Sequence, residues 1–115
     1  MKTTLYIPSS SQTDVVEISI VEGVATLQAN KANVLDASGA TVSIAMPTVT
    51  DGKENIIRLY LSVSSTTSLT VPETIIWAYT TVPTDYLVDN NFILIRLYTV
   101  DNGVSWFGAV EYVLS

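Results

Sequence analysis

The strict alternation of apolar and polar side chains in segments rich in β-branched residues is the feature that most constrains this fold. Val, Ile and Thr together supply 40 of the 115 residues, and such side chains favour a pleated, half-buried surface. IIRLYLSV at residues 56–63 and LIRLYTVD at residues 94–101 both contain Ile-Arg-Leu-Tyr, in which Ile and Leu share one face while Arg and Tyr share the other. The pattern predicts two strands of an all-β domain, each with one buried face.

The shared Ile-Arg-Leu-Tyr could mark a duplicated unit, but the flanking sequences differ and no intervening pattern is shared. Two strands with the same alternation explain the match without duplication. Arg and Tyr combine apolar area with polar reach, and both are favoured at protein contacts. We therefore expect Arg58, Tyr60, Arg96 and Tyr98 to contact a partner. The alternative is that these side chains only cover the outer face of a sheet.

Turn residues divide the rest of the chain into short strands. Residues 16–20 and 24–29 alternate on either side of Glu22-Gly23, which predicts a hairpin. Residues 72–85 keep no clean period, and we expect a packed connection there with Trp77 in the core.

The C-terminal part of the chain predicts a second hairpin. Asn102-Gly103 suits the two positive-φ positions of a type I′ turn. Strands at residues 92–100 and 104–114 would then pair antiparallel, with Tyr98 opposite Phe107 and Ile93 opposite Tyr112. Taken together, the strand signals predict an all-β fold, a single antiparallel β-sandwich that is jelly-roll-like or immunoglobulin-like.

The domain organisation follows from the polar, aperiodic start of the chain. Residues 1–14 predict an extended N-terminal arm and residues 15–115 the β-sandwich domain. Within the arm, Leu5, Tyr6 and Ile7 are the candidate anchor on a partner. The first residues lack the apolar core of a signal peptide, and no stretch approaches about 18 uninterrupted apolar residues. We therefore expect synthesis in the cytoplasm and no membrane partner.

The amino-acid composition restricts the classes of partner that this chain is expected to bind. Charged residues make up 14% of the chain and hydrophobic residues 48%, so part of the apolar surface is expected to face other subunits. The alternative is a monomer with a Thr-rich, weakly charged surface. The net charge of −6 argues against nucleic acid and anionic lipid as partners, because both need clustered Lys and Arg. The chain has no Cys, hence no disulfide or thiolate chemistry.

Candidate catalytic chemistry is sparse. The chain has no His, which removes Ser-His-Asp catalysis and the commonest zinc ligand. Most carboxylates fall at turns, where they stabilise the backbone, so a glycosidase pair is disfavoured. Calcium is conceivable at residues 89–91 or 101–102, but no twelve-residue calcium loop is present. We expect no enzyme activity, no catalytic or metal-binding residue and no cofactor.

The order of signals from Ala40 to Asp85 carries a resemblance. A strand ends in Met46-Pro47, a Thr-Asp-Gly-Lys turn follows at residues 50–53, and Leu-Thr-Val-Pro at residues 69–72 precedes Trp77 and Pro83. This order resembles the small β-domains of tailed-bacteriophage structural proteins, especially head fibre and capsid decoration proteins. The resemblance covers about two-thirds of the chain. The last third departs from it, because DYLVDNN stands where the family often has a Gly-Lys turn.

The resemblance implies a non-enzymatic viral protein located in the virion. Such proteins are commonly homotrimers that are displayed on the capsid or in a fibre, after assembly in the host cytoplasm. The expected partners are further copies of the chain and other virion proteins. The alternative function is a tail or baseplate module that recognises host glycans, with Trp77 or the outward tyrosines as stacking platforms. A small hydrolase is the least favoured alternative.

Overall fold

The computed structural model describes residues 13–115. Within that range the chain forms strands and two short 3₁₀ helices, at Ala78–Thr80 and Pro83–Tyr86. The strands are β1 (Val15–Glu17), β2 (Val24–Thr26), β3 (Ala32–Asp36), β4 (Thr41–Ala45), β5 (Asn55–Ser62), β6 (Ser68–Thr70), β7 (Ile75–Trp77), β8 (Phe92–Thr99) and β9 (Trp106–Leu114). They form a six-stranded sheet in the order β1-β3-β5-β8-β9-β7 and a three-stranded sheet in the order β2-β4-β6. The predicted β-rich fold is confirmed.

The first six strands alternate between the two sheets. β1, β3 and β5 are parallel neighbours in one sheet, and β2, β4 and β6 are parallel neighbours in the other. The strands β2, β3, β4 and β5 therefore each serve as the crossover between two parallel strands of the other sheet, as in a solenoid. β8 pairs antiparallel with both β5 and β9, and β7 pairs parallel with β9. The six-stranded sheet is mixed, so the predicted antiparallel pairing, which both jelly rolls and immunoglobulin folds require, is wrong for the pairs that the first six strands make with one another.

The first predicted hairpin is also wrong. Glu22 and Gly23 do form a tight turn with positive φ values of 51° and 79°, closed by a single antiparallel bridge between Val21 and Val24. Beyond this bridge the chain enters two different sheets, because β1 pairs with β3 and β2 with β4. Alternation indicates which face of a strand is buried, and it does not identify the neighbouring strand.

One apolar core receives side chains from both sheets. The buried cluster combines residues of the three-stranded sheet, such as Ala25 and Val42, with residues of the six-stranded sheet, such as Leu61 and Ile93. Asn33 is completely buried beside this cluster. Its side chain joins the turn before β3 to β5, because it hydrogen-bonds the backbone of Gln28, Lys31 and Arg58. The hydrogen bonds of this buried side chain thereby connect successive windings of the chain, where one winding is a segment that contributes one strand to each sheet.

The C-terminal hairpin is confirmed, with two corrections. Its strands are shorter than predicted, because β8 ends at Thr99 and β9 begins at Trp106, and their register shifts once. Tyr98 lies opposite Phe107 as predicted, and Asn102 and Gly103 have φ values of 59° and 80°, as a type I′ turn requires. The register shifts between Leu94 and Ile95, so that Ile93 lies opposite Val113 and not opposite Tyr112. The shift is a β-bulge at Glu111. It lets Val110 and Val113 both pack against the core, whereas regular alternation would have turned Val113 outward.

The connection before β8 contains structure that the sequence pattern does not indicate. Residues 75–77 form edge strand β7, and Trp77 is half-buried against the core, in agreement with its predicted position. Gly108 makes this packing possible. A Cβ atom at Gly108 would lie 2.8 Å from Trp77 Cζ3 and 2.8 Å from Ile75 Cγ2, far inside van der Waals contact. The close approach of β7 to β9 therefore requires glycine.

Candidate interaction surface on the six-stranded sheet

The face of the six-stranded sheet that points away from the core, here called the outer face, carries the candidate interaction surface. Along β5 and β8, buried residues alternate with residues that are exposed or half-buried. Strand pairing aligns the outward residues of neighbouring strands into rows across the sheet. Three parts of this face differ in chemistry: an apolar patch, a row with two arginines, and an aromatic groove.

The first part, here called the packing patch, is a continuous apolar area. Val34 lies opposite Tyr60, Tyr60 opposite Leu94, and Leu94 opposite Tyr112. The next row adds Phe92, which lies opposite Leu114 and whose ring centroid is 6.2 Å from that of Tyr60. The packing patch consists of Val34, Tyr60, Phe92, Leu94, Tyr112 and Leu114. Four of these are exposed large hydrophobic residues and the other two are half-buried. Contiguous exposed apolar area of this kind marks contact surfaces.

The β-bulge at Glu111 shapes the packing patch. Regular alternation from Gly108 would place Glu111 outward and Tyr112 inward. The bulge instead puts both side chains on the outer face, where Tyr112 is 59% exposed and Glu111 Oε2 lies 3.1 Å from Arg96 Nε. Bulges commonly redirect side chains at functional positions. The bulge therefore turns Tyr112 outward into the patch and leaves Glu111 on the outer face beside Arg96.

Two arginines form the second part, here called the arginine row. Arg58 and Arg96 lie directly opposite each other on β5 and β8, and like charges in that position repel. Glu111 offsets the charge of Arg96. Arg58 donates a hydrogen bond of 3.2 Å to the hydroxyl of Thr13, but among residues 13–115 no carboxylate lies within ion-pair distance of it. Within the described part of the chain, the row thus leaves the positive charge of Arg58 uncompensated beside an apolar patch.

The third part, here called the aromatic groove, lies on the other side of the arginine row. Its volume is about 290 Å³, and its lining includes Ile76, Tyr79, Arg96, Tyr98 and Phe107. The rings of Tyr98 and Phe107 stack with their centroids 5.4 Å apart. Tyr79 is 93% exposed. The groove therefore offers flat aromatic surfaces next to a charged side chain.

The carboxylates at the turns have structural roles. Asp36, Asp51, Asp89 and Asp101 each accept a hydrogen bond of 2.8–3.0 Å from a backbone N–H. These bonds favour the ionised form and lower the pKa of each carboxyl group. A general acid needs a raised pKa, so none of these four has that property. The predicted turn role of these residues is confirmed.

The structure brings together the predicted contact residues that it describes. Arg58, Tyr60, Arg96 and Tyr98 all lie on the outer face. Leu5, Tyr6 and Ile7 lie outside the described residues. The remaining members of the packing patch were not singled out from the sequence, because Val34, Phe92 and Leu94 share their composition with core residues. Phe92 and Leu94 share a strand face with Arg96 and Tyr98, and the register is what brings them beside Val34 and Tyr112 into one patch.

Within residues 13–115, no group of three or more acidic side chains is arranged to hold a metal ion. None of the helices in the same range is long and apolar enough to cross a membrane. Comparisons with protein-family models, curated proteins and solved structures found no significant match.

Proposed function

We propose that this protein is a non-enzymatic bacteriophage virion component, a capsid decoration or head-fibre protein that acts through homo-oligomeric packing. The packing patch is the observation that carries the proposal. Six apolar or aromatic side chains cover the solvent side of a sheet whose opposite side is already buried in the core. The resemblance noted above supports the virion location and the trimeric number of subunits.

We also propose that the two sheets are the layers of a β-sandwich. The support is the single buried cluster, to which both sheets contribute, since two packed sheets share the side chains of their inner faces. In this arrangement the six-stranded sheet has its outer face free for assembly. The six-stranded sheet of the sandwich thus presents the packing patch to solvent.

A second copy of this chain is the occupant that the patch favours. Arg58 lacks a carboxylate partner among residues 13–115, whereas Glu17 and Asp36 are exposed at the β1–β3 margin of the same face. A neighbouring subunit can therefore place one of its acidic residues against Arg58 while the apolar rows meet. Complementary charge at the rim and apolar area at the centre are the usual arrangement of an interface.

The size of the patch suits the centre of such an interface. Burial of apolar area stabilises an interface by roughly 25 cal/mol per Å². This stabilisation must exceed the free-energy cost of the translational and rotational freedom that is lost on association. Stable interfaces bury about 800 Å² on each partner, which is larger than six side chains provide. Arg58 and the β1–β3 margin would therefore form the surrounding rim.

The experiment that tests the virion function is co-pelleting with capsids that lack this protein. We expect the full chain to sediment with the capsids and to saturate at a fixed number of copies. A chain without residues 1–12 should keep its oligomeric state and bind the capsids more weakly, because Leu5, Tyr6 and Ile7 are the candidate anchor. Absence of co-pelleting by the full chain would refute the decoration function, and equal binding by the two chains would remove the anchoring role.

A further inference from the structure

The aromatic groove contains backbone strain that assembly through the packing patch does not require. Tyr79 has φ 58° and ψ 21°, and Thr80 has φ 57°. Two successive residues other than glycine in the left-handed region are unfavourable, because the Cβ atom approaches the carbonyl oxygen. Such strain persists where the surroundings impose it, and it concentrates at ligand sites. Here it holds the Tyr79 ring almost fully in solvent at the margin of the groove.

The groove combines aromatic surfaces with a neutral ion pair. Tyr98 and Phe107 form a stacked pair with an interplanar angle of 29°. Arg96 lines the groove and is paired through Nε with Glu111. An arginine has five N–H donors in a fixed plane, so the pair leaves the terminal nitrogens of Arg96 as donors and leaves acceptor positions on Glu111. Hydrogen-bond donors and acceptors therefore lie beside the aromatic rings, and the ion pair that supplies them has no net charge.

We propose that the aromatic groove binds a neutral saccharide. The C–H faces of a sugar ring can stack on Tyr79 or on the Tyr98–Phe107 pair, and its hydroxyl groups can both accept from Arg96 and donate to Glu111. An anionic ligand is disfavoured because Glu111 already offsets the charge of Arg96. The volume of about 290 Å³ is at the lower end of ligand sites, so the groove takes a short segment or the terminal residues of a glycan.

This binding function goes beyond packing, and the two surfaces are separate. The groove is on the far side of the arginine row from Tyr60, Leu94 and Tyr112. A subunit that associates through the packing patch therefore keeps its groove accessible. In an oligomer several grooves would be displayed together, and linked weak sites bind a repeated glycan more tightly than one site does.

The test is glycan binding by the full chain and by two glycine variants. The wild-type protein is applied to a printed array of neutral and sialylated oligosaccharides, and the best neutral ligand is then titrated by calorimetry. In the variant Tyr79→Gly the ring is lost, but glycine adopts positive φ without strain, so the fold should be at least as stable as wild type. We expect Tyr79→Gly to weaken binding at least tenfold.

Thr80→Gly is the matched control, because it relieves strain at the adjacent residue, also at positive φ, and retains the Tyr79 ring. It should bind the same glycan within about threefold of wild type. Failure of the wild-type protein to bind any neutral glycan on the array would overturn the proposal. Equal binding by Tyr79→Gly would also overturn it. Decaproline is titrated in parallel, and binding of this peptide in place of a glycan, lost in Tyr79→Gly, would identify the groove as a peptide site.

Discussion

Replacement of the buried Asn33 should weaken the connection between successive windings of the chain. Its Oδ1 accepts a hydrogen bond of 2.7 Å from Gln28 N, and its Nδ2 donates bonds of 3.0, 3.0 and 3.3 Å to the carbonyl oxygens of Gln28, Lys31 and Arg58. The amide has two N–H groups for these three acceptors, so the side chain makes about three full hydrogen bonds in all. Each contributes a net free energy of about 1 kcal/mol, which gives an upper limit of about 3 kcal/mol. Water can reach part of this turn in the variant. We therefore expect Asn33→Ala to lower the free energy of unfolding by about 2–3 kcal/mol.

The assay is equilibrium unfolding in urea at constant protein concentration, with the slope used to check that the unfolding reaction is unchanged. Gln28→Ala is the matched control, because Gln28 takes part in these bonds through its backbone, and its side chain is exposed. It should cost less than about 0.5 kcal/mol. Equal losses in the two variants, or a loss below about 0.5 kcal/mol in Asn33→Ala, would refute the reasoning.

A third variant separates the hydrogen bonds from side-chain volume. Asn33→Asp preserves the shape of the side chain, but it places a carboxyl oxygen where the amide nitrogen donates to three carbonyl oxygens. Burial and these oxygens should raise the pKa of the introduced carboxyl group above about 3.9, its value in the unfolded chain. The folded state then binds more protons than the unfolded state. The loss of unfolding free energy relative to wild type should therefore increase as pH rises from the pKa of the unfolded chain to the pKa of the folded state. A deficit that does not change between pH 4 and pH 7 would contradict the assigned hydrogen bonds.

Three further predictions concern the C-terminal half of the chain. Gly108→Ala should destabilise the fold by about 1–3 kcal/mol in urea unfolding, since the added Cβ would lie 2.8 Å from Trp77 Cζ3; a loss below about 0.5 kcal/mol would show that the contact relaxes freely. Gly103→Val should destabilise the hairpin because Gly103 has φ 80° and β-branched residues resist positive φ; unchanged amide protection in β8 and β9 would contradict this. The hydrogen bond from Ser105 N lowers the pKa of Asp101, so its stabilising effect should be present above the ordinary pKa and lost as pH falls through the lowered one. Asp101→Ala should therefore reduce the urea midpoint at pH 7 more than at pH 2, and an equal reduction at both would refute this role.

The buried faces of the main strands could be predicted from alternation alone. Ile57, Leu59 and Leu61 on β5 are buried as their spacing indicates, because the two-residue period of a strand assigns a face directly. The same period is compatible with parallel and antiparallel neighbours. The winding between two sheets was therefore not predictable from residues 16–29, where a real turn at Glu22 and Gly23 suggested a local hairpin.

The candidate interaction surface was predictable in part. Arg58, Tyr60, Arg96 and Tyr98 stood out because polar and aromatic side chains in an apolar strand must face away from the core. The remaining patch depends on an irregularity, the bulge at Glu111, which reverses the face of Tyr112. The burial of Asn33 is not predictable for a related reason. Within NKANV it has the composition of a loop, and only its position between two windings makes it a core residue.

Sedimentation equilibrium of the purified protein tests assembly through the packing patch most directly. The monomer mass is 12.5 kDa, and we expect the wild-type protein at micromolar concentration to have three times that mass. Tyr112→Lys places a charge in the patch and should yield monomers. Val104→Lys is the matched control, since Val104 is 73% exposed in the β8–β9 turn, and it should retain the wild-type mass. A monomeric wild-type protein, or dissociation that is equal in the two variants, would contradict assembly through this surface.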